Sequence, residues 1–99
     1  MKIEIKHRFS CHVLFSHDAV DNTFAITLSM ALKAKVDLRY ADFTGAVFTD
    51  SVFTRADFTG ANFTDSVFTD PVFTDSVFTG ANFTGAVFTD SVFTRADFT

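Results

Sequence analysis

Residues 41–60 read ADFTGAVFTDSVFTRADFTG, and this stretch decides the fold because its five-residue phrase continues to the end of the chain. Each phrase holds a small residue, a variable residue, Phe, Thr and a second variable residue. The Phe residues stand at positions 43, 48, 53, 58, 63, 68, 73, 78, 83, 88, 93 and 98, and Thr follows each of them. A period of five is neither the 3.6 of a helix nor the 2 of a flat strand. It predicts short extended segments joined by turns, with Phe and the small residue two positions before it facing inward.

The phrases at residues 41–45 and 56–60 are both ADFTG, and those at 61–63 and 81–83 begin ANF. This pattern resembles the pentapeptide-repeat family, whose consensus is Ala-(Asp/Asn)-Leu-x-x, over residues 36–99. The resemblance implies an all-β solenoid, a right-handed quadrilateral β-helix with four phrases per coil and about three coils. Phe replaces Leu at every regular centre, and Val often replaces the Asp or Asn before it.

Residues 1–35 lie outside the repeat and predict an N-terminal cap of two short strands and one α-helix. Alternating apolar residues predict a strand at 1–7, and a second is expected at 11–15. A helix is expected over 23–35, with Asn22 or Thr23 as its N-cap. The second domain is then the repeat itself, 36–99. Similar leaders precede the repeat in some members of the family.

Four phrases per coil place residues twenty apart in columns about 4.8 Å apart. The identity of residues 45–59 with 85–99 fits this arrangement, since the offset of 40 residues is two whole coils. Two neighbouring faces then carry Val before each Phe, and one corner carries Asp. These candidate interaction residues are Val47, Val67, Val87, Val52, Val72, Val92, Asp50, Asp70 and Asp90.

The Val columns, each accompanied by a Thr column, indicate a non-enzymatic solenoid that presents flat β-faces to a protein partner, because ordered apolar faces often mark contacts. High β-propensity of Val and Thr explains the same pattern without any partner. The regular Val/Thr array is also similar in surface pattern to the ice-binding faces of other β-solenoids.

Charge is divided unevenly along the chain. Residues 1–35 carry five Lys/Arg and three Asp/Glu, a balance of +2, whereas residues 36–99 carry three Arg and nine Asp, a balance of −6. Direct binding to nucleic acid phosphates is therefore not expected. An acidic rod can instead imitate DNA, and the family resemblance supplies the alternative function: binding a type II topoisomerase such as gyrase to inhibit or protect it.

No catalytic, cofactor-binding or metal-binding residue is predicted, so the chain is not expected to be an enzyme. The spacing of His7, His12 and His17, beside Cys11, suggests a metal site only if these side chains converge on one ion. A single Cys excludes an internal disulfide and suits a reducing compartment. No signal peptide or membrane span is evident, so a cytoplasmic location is expected.

A solenoid needs a cap at each end, and the sequence offers one only before the repeat. The last coil is expected to expose the rings of Phe83, Phe88, Phe93 and Phe98. We therefore expect either a homodimer formed through this end or a chain that continues further.

Overall fold

The computed structural model describes residues 1–98; Thr99, the last residue of the predicted tract, lies outside the described residues. A small α/β cap precedes a solenoid of short parallel strands. The elements in chain order are β1 (Lys2–His7), β2 (Val13–Asp18), α1 (Phe24–Lys33), β3 (Ala41–Asp42), β4 (Val47–Thr49), β5 (Val52–Thr54), β6 (Val67–Thr69), β7 (Val72–Thr74), β8 (Val87–Thr89) and β9 (Val92–Thr94).

The solenoid repeats every twenty residues. Two three-stranded parallel sheets have the orders β4-β6-β8 and β5-β7-β9, with Val47 opposite Val67 and Val52 opposite Val72. Isolated parallel bridges with the same twenty-residue offset form two further columns, one of them joining Asp42, Asn62 and Asn82. The β-solenoid that the family resemblance implies is thus confirmed, with four columns of pairing.

Phe rings fill the interior in ladders. Rings twenty residues apart are stacked, such as Phe43 on Phe63 with centroids 5.0 Å apart, while rings five apart meet edge to face, such as Phe48 and Phe53 at 5.7 Å. Both arrangements are favourable for the aromatic quadrupole. The residue two before each Phe is Ala, Ser or Pro, because the rings leave room for nothing larger.

Every corner of the solenoid has a left-handed backbone. From Tyr40 (φ 62°) to Arg95 (φ 53°), each fifth residue has a positive φ. Gly, Asp and Asn tolerate this region best, and nine of the twelve corner positions from 40 to 95 are Gly or Asp, the exceptions being Tyr40, Arg55 and Arg95. The repeat therefore uses turn residues where the chain must change direction.

The cap differs from expectation at its second strand. The expected strand at 11–15 is wrong in its bounds, since β2 runs from Val13 to Asp18. Cys11 has a positive φ of 61° and lies in the turn that joins the strands, where the His7 N–H donates to the His12 carbonyl at 2.8 Å. β2 then extends beyond residue 15 because it pairs along the whole of β1, ending with Lys2 opposite Asp18.

The helix is shorter than the expected 23–35. Thr23 is the N-cap, and its hydroxyl accepts a hydrogen bond from the Ile26 N–H at 3.1 Å. Asn22 is buried instead and donates to the His17 carbonyl at 2.8 Å. The helix ends at Lys33 because Lys35 takes the left-handed conformation (φ 57°) that Gly often supplies.

The cap covers the N-terminal end of the Phe core. β1 pairs with β3 antiparallel, and the Phe24 ring of α1 meets the Phe48 ring edge to face at 6.4 Å. Leu28 and Ala31 are fully buried against the first Phe layer. The Arg8 guanidinium also donates to the Gly60 carbonyl at 2.9 Å, so the cap is anchored to the second layer as well.

Candidate interaction faces

Two sheets of identical sequence form the broadest regular surfaces of the solenoid. We call β4-β6-β8 the first Val/Thr sheet and β5-β7-β9 the second. In each strand the central Phe points inward, while Val and Thr point outward. The outer-row valines Val47, Val52, Val87 and Val92 are 54%, 61%, 52% and 48% exposed. Those of the middle row, Val67 and Val72, are half-buried between their neighbours. The predicted candidate valines therefore lie together in two exposed columns.

The other two columns of pairing use their polar residues in turns. The Asp42 carboxylate accepts hydrogen bonds from the Thr44 N–H at 3.0 Å and from its hydroxyl at 2.6 Å. Asn62 and Asn82 make the same pair of bonds to the Thr two residues later. These Asx turns bend the backbone directly after the Asp or Asn residue. The extended segment is therefore short, and these columns have only isolated bridges. Sequence reasoning missed this role, although the spacing Asp/Asn-Phe-Thr could have indicated it.

The Asp corner column, Asp50, Asp70 and Asp90, follows the first Val/Thr sheet. Its three residues are exposed and have φ values of 53°, 52° and 53°. Asp is favoured in this backbone conformation, which accounts for the residue type without any ligand. Within residues 1–98 no group of three His, Cys, Asp or Glu side chains is arranged to hold a metal ion.

The next corner column alternates in charge. Arg95 donates to Asp75 through Nε at 2.6 Å and through Nη2 at 3.2 Å. This hydrogen bond lowers the pKa of the Asp75 carboxyl, and the charge of Arg55 acts in the same direction. A similar exposed pair joins Arg39 to Asp37, whose pKa is lowered to about 2 by the hydrogen bonds that Arg39 donates.

Pro71 fills an inward position of the solenoid. Its lack of an N–H removes no ladder hydrogen bond, because the equivalent Ser51 and Ser91 donate no backbone hydrogen bond in the described chain. Elsewhere the same inward position does donate, as Ala46 does to the Phe43 carbonyl at 3.0 Å. Pro is therefore accommodated at this column without the loss of a donor.

The histidines do not form a cluster. The His7 Nδ1 accepts hydrogen bonds from the Phe9 N–H and the Ser10 N–H at 3.2 and 3.3 Å. His17 lies on the other strand, opposite Ile3, and His12 and Cys11 are exposed in the turn. The spacing of five that groups these residues in the sequence does not bring them together in space.

The last layer of the Phe core is open. The rings of Phe88, Phe93 and Phe98 are 36%, 38% and 51% exposed, and Phe83 is half-buried. Each still stacks on the ring twenty residues before it, as Phe88 does on Phe68 at 4.7 Å. These four residues form an apolar surface at one end of the described structure.

The twenty-residue register, the inward Phe ladders and the left-handed corners define the molecule as a repeat protein with a β-solenoid fold. A comparison with protein families matches residues 34–70 and 72–99 to Pentapeptide repeats, in eight copies. The chain therefore belongs to the pentapeptide-repeat family. No curated protein and no solved structure matches the chain.

Proteins of this family are generally structural or interaction proteins rather than enzymes. The match is interrupted only at Pro71.

In residues 1–98, no helix has the length and apolar character needed to cross a membrane.

Proposed function

We propose that the protein is a non-enzymatic interaction solenoid that binds a protein partner through its Val/Thr sheets. In this proposal the solenoid is a right-handed quadrilateral β-helix of about three coils, and the chain acts in the cytoplasm. The observation that carries the proposal is the pair of adjacent sheets whose outer-row valines are each about half exposed. Contiguous exposed apolar surface of this kind marks contact sites on soluble proteins.

The rigidity of the sheets supports the same proposal. Each outward valine stands on a strand whose Phe is fixed in a stacked ladder, so the array is ordered before any partner arrives. Binding to a preorganised surface loses little conformational entropy. The array also has few charged groups, since the polar residues within the two sheets are all Thr.

The test is a pull-down from the source cell with the wild type and a triple variant of the first Val/Thr sheet, Val47→Lys, Val67→Lys and Val87→Lys. We expect the variant to lose a partner that the wild type retains. The matched control adds the same three charges to exposed cap positions, as Ser16→Lys, Val20→Lys and Ala34→Lys. Equal capture by both triple variants would remove the proposal.

A second candidate function is binding to a type II topoisomerase by imitation of DNA. The Asp corner column favours it, because three carboxylates are repeated with the spacing of the coils on a tract with a charge of −6. Arg55 and Arg95 interrupt the next corner and shorten any such imitation. A gyrase supercoiling assay decides the matter, and no effect at micromolar protein removes this candidate.

A homodimer through the last Phe layer is also proposed. The exposed rings of Phe88, Phe93 and Phe98 would be covered by a second copy that meets them end to end, or by further repeats. Light scattering should then give twice the monomer mass at tens of micromolar, and Phe98→Asp should weaken association. A monomer mass from light scattering at that concentration would contradict the proposed dimer.

A further inference from the structure

A groove of about 620 Å³ lies between α1 and the N-terminal edge of the second Val/Thr sheet. Ile26 and Met30 line its helix side and are 42% and 37% exposed. Asp50, Ser51 and Val52 line its solenoid side. The groove runs along the edge of the sheet rather than across its outer face, and of the outward residues of the two Val/Thr sheets it includes Thr49 and Val52.

β5, which borders this groove, has one unpaired edge. In the described chain it pairs with β7 alone. The Val72 N–H donates to the Ser51 carbonyl at 2.8 Å, and the Arg55 N–H donates to the Thr74 carbonyl at 2.8 Å. Because successive residues of a parallel strand direct their backbone groups to alternate sides, the N–H and C=O of Val52 point away from β7. No hydrogen bond within residues 1–98 uses either group.

A buried hydroxyl beside this edge also lacks a partner. The Ser51 side chain is only 6% exposed, and its Oγ makes no hydrogen bond. In other columns the inward serine is satisfied, as Ser76 is by donating to the Phe53 carbonyl at 3.0 Å. The Oγ of Ser91, forty residues later in the same column, also has no hydrogen-bond partner. The missing hydrogen bond is therefore a property of this column of serines. Ser51 is the one of the two that lines this groove.

The unpaired backbone edge determines the kind of occupant. An extended peptide supplies alternating donors and acceptors that match a strand edge, which is the basis of β-strand addition. The Phe53 ring is only 1% exposed because the core of the chain already covers it, so the peptide side chain opposite Phe53 has little room and must be small. The exposed Asp50 carboxylate at one end favours a basic residue there.

We propose that this groove binds an extended peptide segment of a partner protein, which adds parallel to β5 as a fourth strand of the second Val/Thr sheet. The segment carries a basic residue beside Asp50 and a small residue over Phe53. Ile26 and Met30 cover its other side. Val52 belongs to both surfaces, but Val47, Val67 and Val87 do not line this groove, so the variants of the first Val/Thr sheet test the proposed function separately.

The first test uses a synthetic peptide, acetyl-Lys-Ser-Val-Ala-Thr-amide, whose Ala is placed opposite Phe53. We expect weak binding by NMR titration, with a Kd on the order of 100 µM for so short a segment. Slower amide exchange at Val52 and Thr54 should accompany binding, since these N–H groups are open in the free protein. Absence of binding at about 1 mM peptide would overturn the proposal.

N-methylated peptides test the edge pairing directly. In the proposed register the Ala N–H donates to the Val52 carbonyl, whereas the N–H of the preceding Val points away from β5. Methylation at Ala should abolish binding, and methylation at Val should leave it within a few-fold. Equal affinity of the two methylated peptides would contradict strand addition.

The matching protein variants are Val52→Pro and Val47→Pro. Both remove an N–H that takes no part in the solenoid ladder, but only Val52 lines this groove. We expect Val52→Pro to weaken peptide binding at least tenfold and Val47→Pro to change it less than twofold, with both melting near the wild type. The opposite ranking would overturn the proposal. If Val52→Pro fails to fold, the amide exchange of the wild type decides, and unchanged exchange at Val52 and Thr54 on saturation counts against it.

Discussion

Residues 45–59 and 85–99 have the same fifteen-letter sequence, but the described part of the second copy, residues 85–98, lies in different surroundings. In the first copy Phe48, Phe53 and Phe58 are buried to within 1%. In the second copy the equivalent rings, Phe88, Phe93 and Phe98, are between 36% and 51% exposed. The backbone is the same in both, with Asp50 and Asp90 each at a φ of 53°. Identical sequence thus gives identical local structure and very different burial.

The difference is due to what lies on either side of each copy. The first copy packs against the helix and β1 on one side and against a further Phe layer on the other. The second copy has a Phe layer on one side alone in the described chain. A repeat therefore fixes which side chains face inward, while burial comes from its neighbours, as expected when each layer contacts only the adjacent ones. Matched substitutions in the two copies measure that contribution.

Removal of a ring should show the largest difference. Phe48→Ala leaves a cavity within a closed layer, and we expect the free energy of unfolding to fall by about 3–5 kcal/mol. Phe88→Ala removes a ring that water already reaches, and we expect a loss of about 1–2 kcal/mol. Urea unfolding followed by circular dichroism measures both values.

This comparison also bears on the proposed dimer. If a second copy covers the open end, Phe88→Ala should cost more at high protein concentration than at low. Equal losses for the two variants at a concentration where the protein is monomeric would show that the last layer is as well covered as the first.

A smaller difference is expected between two glycines of one corner column. Gly60 and Gly80 both have a φ of 68°, so the left-handed backbone destabilises Ala equally at the two positions. A Cβ at Gly60 would lie 2.4 Å from the Tyr40 ring, whereas a Cβ at Gly80 meets nothing within 4 Å. Gly60→Ala should therefore be less stable than Gly80→Ala by about 1–2 kcal/mol, measured by thermal unfolding.

The double variant that combines Tyr40→Ala with Gly60→Ala provides the control. Without the ring, the extra cost at Gly60 should disappear. If Gly60→Ala and Gly80→Ala remain equally stable in the wild-type background, the Tyr40 ring moves away freely and does not brace this corner.

The repeat could be predicted well from the sequence because its rules are local. Five-residue spacing, with the four phrases per coil that the family resemblance implies, places Phe43 and Phe63 in one ladder, and the requirement for small residues follows from ring size. The position of Val47 and Val52 on two neighbouring faces also follows from the period and the family resemblance. Each of these inferences needs only the repeat and the number of phrases per coil that the resemblance supplies.

The cap and its contacts could not be predicted in the same way. The bounds of β2 depend on pairing with β1, a tertiary effect that the residues 11–18 do not reveal. The bond from Arg8 to Gly60 joins residues 52 apart. The groove beside β5 arises because α1 covers only part of the first layer. Such features come from how two units pack, and the five-residue phrase holds no information about that.

Two serines with buried hydroxyl oxygens offer a subtler comparison. Ser76 Oγ donates to the Phe53 carbonyl, while Ser91 Oγ has no partner. Ser76→Ala should lower the free energy of unfolding by about 1 kcal/mol, the usual value of a buried hydrogen bond. Ser91→Ala should be neutral or slightly stabilising, because it removes an unpaired hydroxyl. Chemical denaturation resolves the two, and a larger loss at Ser91 would mean that its hydroxyl is bonded in solution.

The smallest effect concerns the two arginines at equivalent positions of the identical copies. Arg95 donates to Asp75 and is the main cause of the lowered pKa of that carboxyl, whereas Arg55 contributes through its charge alone. Arg95→Ala should raise the pKa of Asp75 towards 3.8, and Arg55→Ala should raise it less. Because the folded pKa lies below the unfolded value, the stabilisation is present above about pH 4 and is lost as the pH falls through the folded pKa. NMR titration of the Asp75 carboxyl carbon measures both shifts.

Since the pair is exposed, 0.5 M salt should reduce the difference between the two variants. A larger shift in Arg55→Ala would mean that Asp75 pairs with the preceding layer rather than the following one.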